Sequence, residues 1–123
     1  MADPRKVFGD LLRATRIAKG YTLRKFAEMA DMSPTYLSQV EQGKTDRPPT
    51  AERVRTMAEL LGQNADEWTA IAGRIPDDLT DIITGEPQAM PELLRAAKGL
   101  TADELRKLTE QIREQQKDGG KQE

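Results

Sequence analysis

Between Ser33 and Gln42 the chain reads SPTYLSQVEQ, and its side chains there suit recognition better than reaction. Leu37 and Val40, three residues apart, form an apolar pair, which leaves Thr35, Tyr36, Ser38, Gln39 and Gln42 on the other side. A glutamine amide can bond an adenine edge through two hydrogen bonds, and a threonine methyl can pack on a thymine methyl. Tyr36 can reach a phosphate, a sugar or a thymine methyl. The free N–H groups and positive dipole end at the start of such a helix favour a phosphate. The spacing predicts a short helix, seated through Leu37 and Val40, whose polar face meets DNA in the major groove.

Composition closes off most reaction chemistry. The chain has no cysteine and no histidine. Disulfides, thiol nucleophiles, His-based triads and zinc sites of ordinary type are therefore excluded. The adjacent acids Asp77-Asp78 and Asp103-Glu104 fall at predicted helix starts, where the helix dipole alone accounts for them. With no glycine-rich phosphate loop or clustered acid/base pair, neither an enzyme nor a cofactor nor a metal is expected. No apolar run approaches the roughly 18–20 residues that span a bilayer. The first residues, MADPRKVFGD, lack the apolar centre of a signal peptide. A cytoplasmic, nucleoid-associated location with no membrane contact is expected.

The net charge of −2 hides an asymmetry. Residues 1–55 carry 11 Lys and Arg against 7 Asp and Glu, a net of +4; residues 56–123 carry 8 against 14, a net of −6. A basic front suits a polyanion, and an acidic rear suits a solubilising or partner-binding extension.

The elements that must hold the reading helix are all helical, and an all-α fold is predicted. Asp3 caps a first helix from about Pro4 to Ala18, with Phe8, Leu11, Leu12 and Thr15 on one face and Gly20 as its stop. Thr22 caps a second, whose Leu23, Phe26, Ala27 and Ala30 recur at helical spacing. Ser33 caps the third, with Pro34 in its first position, and Gly43 lies just past its end. A polar loop, GKTDRPP, precedes a fourth helix opened by Thr50 and closed by Gly62. The fifth opens at Asn64 and turns Trp68 and Ile71 inward. Shorter helices follow, near Asp77 to Gly85 and Pro87 to Ala97. Another starts at Thr101, where Glu104 completes a capping box. The polar, glycine-bearing end from Glu114 is expected to fray. Arg13, Lys19, Arg53 and Arg55 read as solvated charges.

Two spaced patterns carry a family resemblance. The first is Leu12-Arg13-x-x-Arg16-x-x-x-Gly20-x-Thr22-x-x-x-Phe26-Ala27. The second is Ser33-Pro34-x-Tyr36-Leu37-Ser38-x-Val40-Glu41-x-Gly43-Lys44. Together they resemble the lambda-repressor-like (Cro/repressor, XRE-type) helix-turn-helix family over roughly residues 6 to 72. The resemblance implies a five-helix DNA-binding domain with the third helix in the major groove. It implies base contacts from Thr35, Tyr36 and Gln39, and backbone contacts from Ser33, Ser38, Lys44, Thr45 and Arg47. It also implies an internal salt bridge between Arg16 and Glu41. One position departs: many relatives carry glutamine directly after the helix-2 threonine, and this chain has Leu23. Arg24 and Lys25 follow and are candidates for the phosphate contact.

The expected organisation is a helix-turn-helix domain over 1–74, a C-terminal helical extension over 75–117 and a disordered tail over 118–123. The extension carries Leu79, Ile82, Ile83, Leu93, Leu94, Leu105, Leu108 and Ile112, too many apolar side chains to leave in water. They are read as a homodimer or partner surface. The function expected is a sequence-specific, double-stranded DNA-binding transcriptional regulator of bacterial or phage type. It would be a repressor, working as a homodimer on a palindromic operator. The alternative is an antitoxin or adaptor whose C-terminal helices bind a protein partner, with DNA binding secondary.

Overall fold

In the computed structural model, residues 2–121 are described, and they form eight α-helices. These are α1 (Pro4–Ala18), α2 (Leu23–Met29), α3 (Pro34–Glu41), α4 (Ala51–Leu60), α5 (Ala65–Ile71), α6 (Asp77–Gly85), α7 (Ala89–Ala97) and α8 (Ala102–Lys121). The first five start where a side chain satisfies an orphan amide. Asp3, Thr22, Ser33, Thr50 and Asn64 each accept from a backbone N–H two or three residues on. Such caps are worth about 1 kcal/mol apiece.

The stops repeat as well. Behind each of these helices one amide bonds back to the carbonyl five residues earlier, and the preceding amide bonds three residues back. This double closure requires a left-handed residue between the two. Glycine supplies it at Gly20, Gly43, Gly62 and Gly73. The turn between α2 and α3 is the exception, because Asp31 holds φ +54° there. Aspartate is one of the few side chains that tolerates this conformation, whose usual cost is about 1–2 kcal/mol. The bonds from Asp31 N to Glu28 O (3.2 Å) and Met32 N to Ala27 O (2.9 Å) hold it.

Two compact units divide the chain, Met1–Asp81 and Ile82–Glu123. The division falls beyond residue 74 for a local reason. Arg74 donates to the carbonyls of Pro48 and Pro49 at 2.6 and 3.1 Å. Pro76, Asp77 and Asp78 line a cleft with Ala51, Arg55 and Thr69.

The first unit has a single core. Phe8, Leu12, Phe26, Leu37, Val54 and Met57 are completely buried there, with Ala27, Val40, Leu61 and Trp68 alongside. Phe8 and Trp68 meet edge to face, with centroids 5.7 Å apart and planes at 87°. That geometry suits the ring quadrupoles. Trp68 is thus a core residue, and Ile71 packs at the core's margin.

In the second unit, α7 and α8 are amphipathic. α7 begins at Ala89, not at Pro87, and α8 runs to Lys121, past the point at which fraying was expected; residues 122 and 123 lie outside the described residues. The start of α8 is a reciprocal capping box. Thr101 N donates to Glu104 Oε1 (3.0 Å), and Glu104 N donates to Thr101 Oγ1 (3.2 Å). Hydrogen bonding to the carboxyl from the Thr101 amide first, and from the Thr101 side chain second, holds Glu104 below the usual carboxylate range.

A group held low stabilises the fold fully once it is ionised in both the folded and unfolded chain. Its contribution is lost as pH falls through the lowered folded-state value. An NMR titration should therefore find the Glu104 midpoint below that of a free glutamate, and Thr101→Ala should move it upward. A Glu104 midpoint in the ordinary range with Thr101 intact would count against the capping box.

Candidate nucleic-acid interface

α3 is held closely from behind. Gly9 of α1 lies against its C-terminal end, where a Cβ would stand 2.5 Å from Val40 O and 2.6 Å from Glu41 O. Any side chain there would push the two helices apart. Seven residues along α1, Arg16 meets Glu41 in a two-pronged ion pair. Its Nε lies 2.6 Å from Oε2 and its Nη2 2.9 Å from Oε1. The remaining nitrogen, Nη1, donates to the Tyr21 carbonyl at 2.9 Å, just ahead of α2.

Both partners are buried, at 7% and 5% exposure. Removing two ions from water costs several kcal/mol each, and only close, fully bonded geometry offsets that. Here the hydrogen bond to Glu41 strengthens the hold of Arg16 on its proton, raising its pKa further above an already high value. Among the described residues, no buried side-chain N or O lacks a partner.

With its back fixed, α3 turns a distinct front outward. Thr35 and Gln39 are exposed, Ser38 is half-buried, and all three border one shallow depression together with Leu23 and Pro34. Ser33 Oγ is engaged at the cap, accepting from Tyr36 N at 3.0 Å. Ser38 Oγ accepts from Gln42 Nε2 at 2.8 Å, which holds Gln42 along the helix. Arg24 and Lys25 are exposed in the first turn of α2.

Tyr36 is set apart from Thr35 and Gln39. It is half-buried against the core, and the Arg53 guanidinium of α4 lies 5.2 Å from its ring centroid. Such a stack is worth about 0.5–1 kcal/mol at an exposed site. Arg53 is therefore not the free solvated charge that its sequence context implies. It adds a cation to the flank of α3, and no periodicity could have shown it.

The loop after α3 is braced from two sides. Arg5 Nη1 donates to the carbonyls of Thr45 (2.9 Å) and Asp46 (3.3 Å), and Arg74 takes Pro48 and Pro49 as described above. Thr45 Oγ1 donates to Arg47 O at 2.7 Å, so its hydroxyl proton serves the loop. Lys44 and Arg47 remain exposed. Asp3 pairs with Arg5 at 2.7 Å and steadies its approach. The two bracing arginines come from opposite ends of the unit, and nothing in their local sequence marks them.

Comparison with known proteins agrees with this construction. Residues 12–68 match the helix-turn-helix family model. The chain is similar to the transcriptional regulator ClgR of Mycobacterium tuberculosis, at 31% identity over 93 residues, covering 76% of this chain and 70% of that protein. It is also similar to YazB of Bacillus subtilis, an uncharacterized HTH-type transcriptional regulator, at 36% identity over 62 residues, or 50% of this chain and 87% of that one. Among solved structures, the clp gene regulator ClgR of Corynebacterium glutamicum superposes with a TM-score of 0.50 at 25% identity, covering 79% of this chain and 96% of that chain. These relatives are transcriptional regulators and not enzymes.

The buried pair is expected to dominate the stability of the head. Removing either partner strands the other in the interior, which costs about 3–5 kcal/mol. Arg16→Met and Glu41→Leu should each lower the unfolding free energy read from urea melts by that order, and the double variant by less than their sum. Additive losses would mean that the two side chains act separately. The reading face, its buried brace and the family match converge: the chain belongs to the XRE-type helix-turn-helix family of DNA-binding transcriptional regulators.

Proposed function

We propose that this protein is a sequence-specific regulator that lays α3 in the major groove of its operator. Thr35, Tyr36 and Gln39 meet base edges. Arg24, Lys25, Ser33, Ser38, Lys44, Thr45 and Arg47 meet the backbone. The observation that carries the reading is the contrast across α3. Leu37, Val40 and Glu41 are buried on one side, while Thr35 and Gln39 stand free on the other. The braced loop adds two exposed cations, Lys44 and Arg47, on the C-terminal side of the same helix. Cations of this kind set salt dependence and register, and the base-facing residues set sequence.

The same reading takes the protein as a dimer. One head of this size covers a single half-site, and a second, about 34–36 Å along the duplex, reads a two-fold operator. Leu79, Ile82, Leu93, Leu94, Leu105, Leu108 and Ile112 are all exposed in one protomer. Ile83 is half-buried, which makes it the weakest of the eight as a contact residue. Leu105, Leu108 and Ile112 recur on one face of α8, a narrow stripe that a second copy would cover. Repression by occupancy is the mode of action proposed, in the cytoplasm and on the nucleoid. An adaptor or antitoxin role rests on the same apolar side chains and on the acidic charge of residues 56–123. A tail fragment over 76–123 that captures a different protein and does not self-associate would favour that role.

Selection of random duplexes by the full chain tests the primary reading. Enrichment of a palindrome is expected. The Corynebacterium relative is described as a clp gene regulator, so upstream regions of clp genes are the first natural sequences to try. Gln39→Ala should cost about 1–3 kcal/mol and relax one base position per half-site. Lys44→Ala should weaken all sequences alike and flatten the salt slope by about one. Failure to enrich any sequence, with Gln39→Ala indistinguishable from wild type, would sink it. A reporter behind the selected site that rises with protein level would replace repression by activation.

A further inference from the structure

The depression beside α3 has two lining residues, Leu23 and Pro34, that the contacts proposed above do not use. Leu23 forms one wall at the start of α2, Pro34 and Thr35 form a second at the start of α3, and Ser38 and Gln39 close it one turn on. None of the five carries a charge. Leu23 is half-buried and packs against the core, so its position is fixed by the head and not by solvent. This is the position at which the family resemblance implies a glutamine and a phosphate contact.

A phosphate is a poor occupant here. Seating an anion against leucine and proline strips its water and offers no charge in return. The DNA group that matches is apolar, small and flanked by a hydrogen-bond acceptor. In the major groove that describes thymine, whose C5-methyl stands beside the O4 acceptor. Leu23, Pro34 and the Thr35 methyl supply carbon surface, while the Gln39 amide and the Thr35 hydroxyl are donors at the rim. Cytosine has no methyl and presents a donor at the neighbouring position. The purines present N7 instead.

We propose that Leu23, with Pro34 and Thr35, forms a seat for a thymine methyl, which makes Leu23 a specificity-determining residue. The seat rests on the reading of α3 as the groove helix and adds a base preference to it. Arg24 and Lys25 then carry the phosphate contact of α2 alone.

The test removes one methyl at a time. On the site selected by the full chain, each thymine is replaced in turn by deoxyuridine, and Kd is measured for wild type, Leu23→Gln and Thr35→Ser. In wild type, one thymine per half-site should lose about fourfold in affinity when its methyl is removed, the burial of a single methyl group. In Leu23→Gln the thymine and uracil duplexes should bind equally at that position. Thermal melts establish that the variant is folded. Should it not fold, the exposed Thr35→Ser carries the test, since it trims the opposite wall and should lower the thymine-to-uracil ratio. An enriched site whose thymines all tolerate uracil overturns the seat alone, as does a ratio unchanged in the variants. Absence of any enriched sequence overturns the reading of α3 and the seat together.

Discussion

A single guanidinium sets the geometry of the head. Arg16 reaches from α1 to Glu41 at the end of α3 and to the Tyr21 carbonyl ahead of α2. Three segments are fixed by one side chain whose fork is rigid. Arginine suits this where lysine would not, because its five donors lie in one plane and match a carboxylate in two places. Total stability in a domain of this size is about 5–15 kcal/mol. An ion pair whose disruption costs about a fifth or more of that is a structural commitment. It also dictates what lies nearby: Gly9 has no side chain because Glu41 and Val40 must come close enough for the pair to form.

That commitment explains how a head with so small a core can hold a helix for reading. α3 has eight residues, too few to be stable alone. Its order comes from the Ser33 cap, from Leu37 and Val40 in the core, and from Glu41 in the ion pair. None of these uses the outward face. Thr35 and Gln39 are thereby free of structural duty, so substituting them leaves the fold intact. Tyr36 is the compromise. Its ring packs partly on the core and under Arg53, which ties one flank of the reading face to α4. The loop beyond α3 obeys the same logic, since Arg5 and Arg74 use its carbonyls and leave the Lys44 and Arg47 side chains outside.

Local rules made the helices legible from sequence. Asp3, Thr22, Ser33, Thr50 and Asn64 cap because a short side chain can reach an amide two or three residues on, and that reach is a property of the sequence itself. The glycine stops are legible for the same reason. Interactions across the fold were not, apart from the Arg16–Glu41 pair that the family resemblance implied. Gly9 sits inside α1, where glycine is a poor helix former, and only the approach of α3 explains it. Arg5 and Arg74 bond partners 25 or more residues away. Asp31 looks like one more surface acid until the turn is built, whereupon it becomes the residue that must adopt φ > 0. The end of α8 follows a different balance. Glycine lowers helix propensity by about 1 kcal/mol per residue, but twelve helical residues of Leu, Lys, Glu, Gln and Arg type precede it, and propagation from an established helix is cheap.

Leu23 sharpens the distinction between inherited architecture and individual specificity. A glutamine at the start of α2 would place an amide at the edge of the interface, where it could serve any sequence through the backbone. Leucine cannot do that, and half of it is already committed to the core. What remains exposed is carbon, bordered by Pro34 and Thr35. Carbon surface at a polar interface gains free energy only when it meets other carbon, and the major groove offers one such group per A·T pair and none per G·C pair. The substitution therefore exchanges a sequence-blind contact for one that depends on the base. The rest of the head need not change, because Arg16, Gly9 and the core fix the frame in which that contact is made.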